Sequence, residues 1–262
     1  MSQAGAMAEA DLDIVIPVYK EGANIVPVLR SFVAHVTLHF RVLIGYDQDD
    51  DDTLEAIRVE PVPGITVVPV KNRGQGAFGA VVTCLAHSRA AAVLVYPADD
   101  DYNAPRIDGM IAKIRDGADV VCASRFMPGG RMTGCPLVKR VILRSSAFAL
   151  HRLARLPTHD PSNGLRMFSR RLLDRIPIES SEGFTYSIEL LVKAHRLGWR
   201  IDEVPAEWHE RVRGKSRFRV MRWLPAYFRW FRYAFATSYL RRGPETVPTS
   251  GDRGLGPAQI PR

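Results

Sequence analysis

Short unbroken apolar runs alternate with stretches whose apolar positions recur every third or fourth residue. The runs at residues 12–18, 42–46, 65–70, 92–96 and 119–122 predict buried strands. Between them the spacing predicts helices over 24–36, 53–57, 76–88 and 104–115; in the first, Ile25, Val28, Leu29 and Phe32 share one face. Strands alternating with helices predict an α/β fold, a mostly parallel sheet with helices on both faces. Ligands on such sheets sit beyond the carboxyl ends of the strands. After Phe126 the pattern predicts helices over 138–153 and 186–197 and strands over 164–168 and near 199–204. A last helix is predicted over 225–240, with Pro225 in its first turn.

Composition narrows the class. At 262 residues, 46% hydrophobic and 24% charged, the chain has the length and balance of a globular protein with a full core. No window offers the roughly 18 uncharged apolar residues of a membrane span. The first residues lack the basic start and apolar centre of a secretory leader, so a cytoplasmic location is expected. Cys84, Cys122 and Cys135 are odd in number and lack metal-binding spacing, which fits reduced thiols. Charge is divided unevenly. Residues 1–130 carry 11 Lys/Arg and 17 Asp/Glu, whereas residues 131–262 carry 25 and 11. The acidic half suits a metal, the basic half phosphates or an anionic membrane.

The candidate chemistry falls at strand ends. Asp99, Asp100 and Asp101 follow the run at 92–96, where Asp99 and Asp101 can aim at one hard cation. Asp47 opens a run of five Asp in six residues after the second strand, and can accept from a nucleobase or a ribose. The rest of that run reads as a solvated acidic loop. Arg125 follows the fifth strand, placed to pair with the acidic cluster, to clamp a phosphate, or to form a structural ion pair. Gly74, Gly76 and Gly79 match G-x-G-x-x-G, but not after the first strand, so a dinucleotide site is not expected. Residues 210–242 hold ten Lys/Arg and one acid, interleaved with aromatics. A helix lying in an anionic membrane surface is expected there, with packing on the domain as the alternative. Nothing else suggests a nucleic-acid partner.

Taken in order, these segments resemble the inverting GT-A glycosyltransferases of family 2, most of all the polyprenyl-phosphate hexose synthases of the dolichol-phosphate mannose synthase type. Residues 15–25 resemble V-I-P-x-Y-N-E-x-x-N-I, residues 72–76 N-x-G-K-G, and residues 99–105 D-x-D-L-Q-x-P. Residues 124–126 match S-R-[FY], residues 160–168 resemble D-x-x-S-G-F-R-x-F, and residues 211–217 R-x-x-G-x-S-K.

The resemblance implies a GT-A (nucleotide-diphospho-sugar transferase) fold over 12–218. Residues 1–11 are then a flexible start, 219–242 the membrane-surface helix and 243–262 a disordered tail. It implies a nucleotide-sugar pocket of Pro17, Tyr19, Glu21, Asp47, Gln75, Asp99 and Asp100, and Mg2+ or Mn2+ on Asp99, Asp101 and Asn103. Arg125, Arg140, Arg211, Ser216 and Arg217 would serve phosphates. Asp101, Arg125 and Asp160 are the catalytic candidates, Asp160 as base should the acceptor be a hydroxyl. The expected reaction moves a hexose from GDP-mannose or a UDP-hexose to a polyprenyl phosphate at the cytoplasmic membrane face. A different acceptor, a non-catalytic binding role and a membrane-protein partner stay open. Lys20, Gln48, Gln75 and Asn103 depart from the family pattern.

Overall fold

The computed structural model describes residues 10–72, 74, 76–210 and 220–250. Strands β1 (Leu12–Pro17), β2 (Phe40–Tyr46), β3 (Thr66–Lys71) and β4 (Ala92–Val95) alternate with helices α1 (Gly22–His35), α2 (Asp52–Val59) and α3 (Gly76–His87). Helix α4 (Ile107–Arg115), β5 (Val120–Ser124), β6 (Arg131–Thr133) and α5 (Leu137–Phe148) follow. A π-turn at Ala149–Leu153 extends α5. Then come β7 (Arg166–Ser169), α6 (Arg170–Arg175), α7 (Thr185–Arg196), β8 (Ile201–Pro205), β9 (Glu207–His209) and α8 (Val220–Tyr239).

Seven strands form one sheet in the order β3-β2-β1-β4-β7-β5-β8. Only β7 runs antiparallel, between β4 and β5. Its direction matters for the site: the loop entering β7 lies at the same edge as the carboxyl ends of the other strands. Successive strand residues face opposite sides. Ile14 and Ile16 join a core with Leu29 and Phe32 of α1 and Met110 of α4. Val15 joins a second core with Val81 of α3, Leu190 of α7 and Trp230 of α8. Both faces are thus covered, as the alternating pattern requires. Strands β6 and β9 form a separate parallel ribbon that three-residue segments could not announce in the sequence.

Of the expected flexible start and disordered tail, residues 1–9 and 251–262 lie outside the described residues. Ala10 is buried and the Asp11 amide donates to the His39 carbonyl, so order begins before residue 12. Residues 243–250 are docked, not a loose tail: Val247 is buried, Arg196 donates to the Thr246 hydroxyl, and the Ser250 amide donates to the Arg175 carbonyl. Helix α8 lies on the domain. Trp230 is 2% exposed, its indole N–H donates to Ser180 Oγ at 3.0 Å, and Ala234 is fully buried. Lys193 of α7, itself buried and paired with Glu189 at 2.6 Å, sits over the Trp230 ring. Of the aromatics expected in a membrane, Trp230 belongs to the second core and Tyr227, Phe231, Tyr233 and Phe235 pack against it, while Phe228 stays 63% exposed. Pro225 stands inside the helix rather than in its first turn. No helix among the described residues is long and apolar enough to cross a membrane.

Candidate functional site

The loop after β1 is built by its neighbour. Pro17 is half-buried and the Tyr19 ring is exposed. Lys20 adopts φ +57°, a left-handed conformation costly for Lys, and its amide donates to the Asp51 carboxylate at 3.0 Å. The Glu21 amide donates to Thr53 Oγ1, and Asn24 Nδ2 donates to Glu21 Oε2 at 2.8 Å. A Cβ at Gly22 would lie 2.9 Å from the Asp52 carbonyl, so only glycine lets the two loops touch. Asp51, expected in a solvated loop, is 4% exposed and caps α2 through the Thr53 amide.

Asp47, at the end of β2, is half-buried. It accepts from Asn72 Nδ2 and, at 3.2 Å, from the Gly76 amide at the start of α3. Each oxygen keeps a second lone pair for a ligand. Asp49 pairs with Lys71 at the surface.

The acidic triplet beyond β4 splits by direction. Asp100 is 5% exposed and accepts from Tyr96 Oη, the amides of Tyr102 and Asn103, and Asn103 Nδ2. Burial pushes its carboxyl up to about 6, against the pull of the Asn103 and Tyr96 hydrogen bonds. Asp101 is exposed and Asp99 half-buried.

Asn103, placed by the resemblance among the metal ligands, is 2% exposed. Its Nδ2 donates to Asp100 and to the Glu207 carbonyl at 2.9 Å, and its Oδ1 accepts from the Glu207 amide at 2.9 Å. Both ends of the amide thus clip the acidic loop to β9. Tyr102 adds a second tie, its hydroxyl accepting from the His209 amide. Asn103→Ala is expected to cost about 2 kcal/mol by leaving buried polar groups unpaired, read by urea unfolding.

Arg125 and Asp160 come together, and not with the acidic triplet. Arg125 donates to Asp160 from Nε at 2.6 Å, from Nη2 at 2.9 Å and from its amide at 3.0 Å. Ser162 donates to Asp160 as well. Asp160 is fully buried and Arg125 is 8% exposed. Burial alone would raise the Asp160 carboxyl; the Arg125 charge and hydrogen bonds outweigh it and hold the group below the usual range. Both carboxylate oxygens are thus engaged by protein donors. Of the readings open for Arg125, the structural ion pair is the one found. The loop is held further by buried Arg166, which donates to the carbonyls of Pro161 and Asn163.

A family model described as glycosyl transferase family 2 matches residues 13–177. This chain belongs to that family. A polyprenol monophosphomannose synthase of Mycolicibacterium smegmatis is 27% identical over 212 residues, 78% of this chain and 79% of that one. An uncharacterized glycosyltransferase of Mycobacterium bovis is 30% identical over 212 residues, 80% of this chain and 91% of that one. Among solved structures, glucosyl-3-phosphoglycerate synthase of Mycobacterium tuberculosis, with Mn2+, uridine diphosphate and phosphoglyceric acid, gives a TM-score of 0.60. It covers 93% of this chain and 81% of that one at 20% identity, a likeness of fold.

In this family 2 chain two carboxylates, Asp99 and Asp101, stand outside the buried hydrogen-bond network of Asp100. Mg2+ is held by one or two carboxylates and completed by substrate phosphates and water, and Asp99 and Asp101 are two. Among the described residues no three His, Cys, Asp or Glu side chains converge on a metal position. Arg140 is exposed on α5, with no ion pair among the described residues. Gln75, Arg211, Ser216 and Arg217 lie outside the described residues.

Sequence reasoning missed the cluster beneath this loop. Glu203 of β8 accepts from Thr158 Oγ1, the His159 amide and His159 Nδ1, while His159 stacks on His151 at 4.2 Å. Scattered through the sequence, these histidines carried no signal.

Proposed function

We propose that this chain is an inverting hexosyltransferase that moves a sugar from a nucleotide sugar to a polyprenyl phosphate at the cytoplasmic face of a membrane. The observation that carries this reading is the division of the acidic triplet at the end of β4, with Asp100 buried, Asp99 half-buried and Asp101 exposed. The polyprenol monophosphomannose synthase among its relatives supports the acceptor class.

Asp99 and Asp101 would hold Mg2+ or Mn2+. Such an ion, when bound, neutralises charge on the departing diphosphate. Asp47 would accept from the base or ribose, and Tyr19 and Pro17 would line the same pocket. An acceptor phosphate is already anionic near neutral pH, so no residue need remove a proton. The engagement of Asp160 by Arg125 fits that requirement. A hydroxyl acceptor would need a base, and Asp160 does not supply one. Attack opposite the leaving group inverts the anomeric carbon.

The test is nucleoside diphosphate release from GDP-mannose, UDP-glucose and UDP-N-acetylglucosamine with Mn2+, each with and without a short polyprenyl phosphate. Release that requires the lipid is expected with one donor. Release independent of the lipid, or none with any donor, defeats the proposal.

A further inference from the structure

We propose that the outward face of α5 is the surface by which this protein lies on an anionic lipid bilayer. This deepens the reading above, and rests on it where the lipid is also the acceptor.

Helix α5 has two apolar faces. Leu143, Ala147 and, in the following turn, Leu150 point inward. Leu137, Val138, Val141, Ile142 and Phe148 are between 54% and 72% exposed. At 3.6 residues per turn these five fall within a sector of about 140°, opposite the inward face. A single exposed leucine needs no explanation; a contiguous stripe does.

The charge around the stripe selects the occupant. Residues 137–155 contain Lys139, Arg140, Arg144, Arg152 and Arg155 and no Asp or Glu; Lys139 pairs with Glu210 at 3.6 Å, and the four arginines have no ion pair among the described residues. A second copy of this chain would set these cations against themselves across a two-fold axis. An anionic headgroup layer accepts them, and the apolar stripe enters the acyl boundary beneath. The same flank leads to the candidate site. The guanidinium of Arg144 lies 5.5 Å from the centre of the Phe126 ring, and that of Arg125 lies 5.3 Å from it. A helix docked this way would hold the Arg125 loop close to lipid-borne phosphates. The sequence pointed to α8 for this task; α8 packs Trp230 and its partly buried neighbours on the core and leaves only Phe228 and, eleven residues on, Tyr239 exposed among its described aromatics, whereas α5 carries a contiguous stripe.

The experiment is co-sedimentation of the full chain with vesicles of phosphatidylcholine alone or mixed with phosphatidylglycerol, without donor or polyprenyl phosphate. Wild type is expected to bind the mixed vesicles, less so at high salt, and amide exchange across residues 137–148 is expected to slow on binding. The exposed double variant Val141→Gln/Ile142→Gln is expected to bind at least about tenfold more weakly, with an unchanged circular dichroism spectrum and unfolding midpoint. Wild-type binding without slowed exchange in α5, or equal binding by the variant, overturns the proposal. So does a wild type that ignores both vesicles, whether it is a monomer or a dimer that the variant dissociates. Since no substrate is present, vesicle binding stands or falls separately from the glycosyl-transfer assay.

Discussion

Asp101→Asn is expected to lower nucleoside diphosphate release about a thousandfold, with Asp99→Asn close behind. The magnitude follows from charge. A dianionic leaving group facing two fixed carboxylates is repelled unless a divalent cation lies between them, and losing one carboxylate weakens that cation's hold. Asp101 is exposed and supports no other residue through the hydrogen bonds described, so the free energy of unfolding should change by less than about 0.5 kcal/mol. Asp100→Ala supplies the contrast. Its carboxylate organises Tyr96, Tyr102 and Asn103, so that variant should lose stability first and activity only as a consequence. Unfolding curves and Mn2+ titrations of turnover on the three variants separate the roles. Full turnover by Asp101→Asn at low Mn2+ would remove the metal assignment.

The parts of this molecule legible in the sequence are those set by runs and periods. Strands β1 to β5 and helices α1 to α4 appear where the apolar pattern places them, because both faces of the sheet are covered. What escaped was set by tertiary contact. Nothing in the Asp47–Asp52 run marks Asp51 as buried; it is buried because the Lys20 amide and Thr53 converge on it. Asn103 stands where the family has a metal-side Gln, yet the nearness of Glu207, 104 residues away, turns it into a backbone clip. The basic aromatic helix α8 and the apolar basic helix α5 have similar composition. Only the fold shows that Trp230 faces Lys193 and Ser180 while Val141 and Ile142 face outward. Composition identifies an amphipathic helix without saying which of its faces the domain uses.

Arg125→Ala and Asp160→Ala are each expected to destabilise the protein by about 3–5 kcal/mol, since each leaves a charge buried without its partner. The double variant should cost much less than the sum, because removing both charges also removes their desolvation penalty. If Arg125 were instead a free phosphate clamp, its loss would impair turnover and leave the unfolding midpoint alone. The pair also fixes a pH dependence. The Asp160 carboxyl lies below its unfolded value of about 3.9. Its contribution to stability is therefore present above that value and lost as pH falls from there through the folded one. Acid unfolding of wild type should steepen below about pH 4, whereas Asp160→Asn should be weaker throughout and lack that component. Thermal melts across this interval decide it. A parallel fall in the two proteins would mean that other carboxylates carry the acid sensitivity. The same pair governs function indirectly: it seats the loop from residue 158 to 163 against the end of β5, where Asn163 Nδ2 donates to the Ala123 carbonyl at 2.8 Å. Loss of the ion pair should therefore raise the apparent KM for the acceptor at temperatures well below the melt, before any global unfolding.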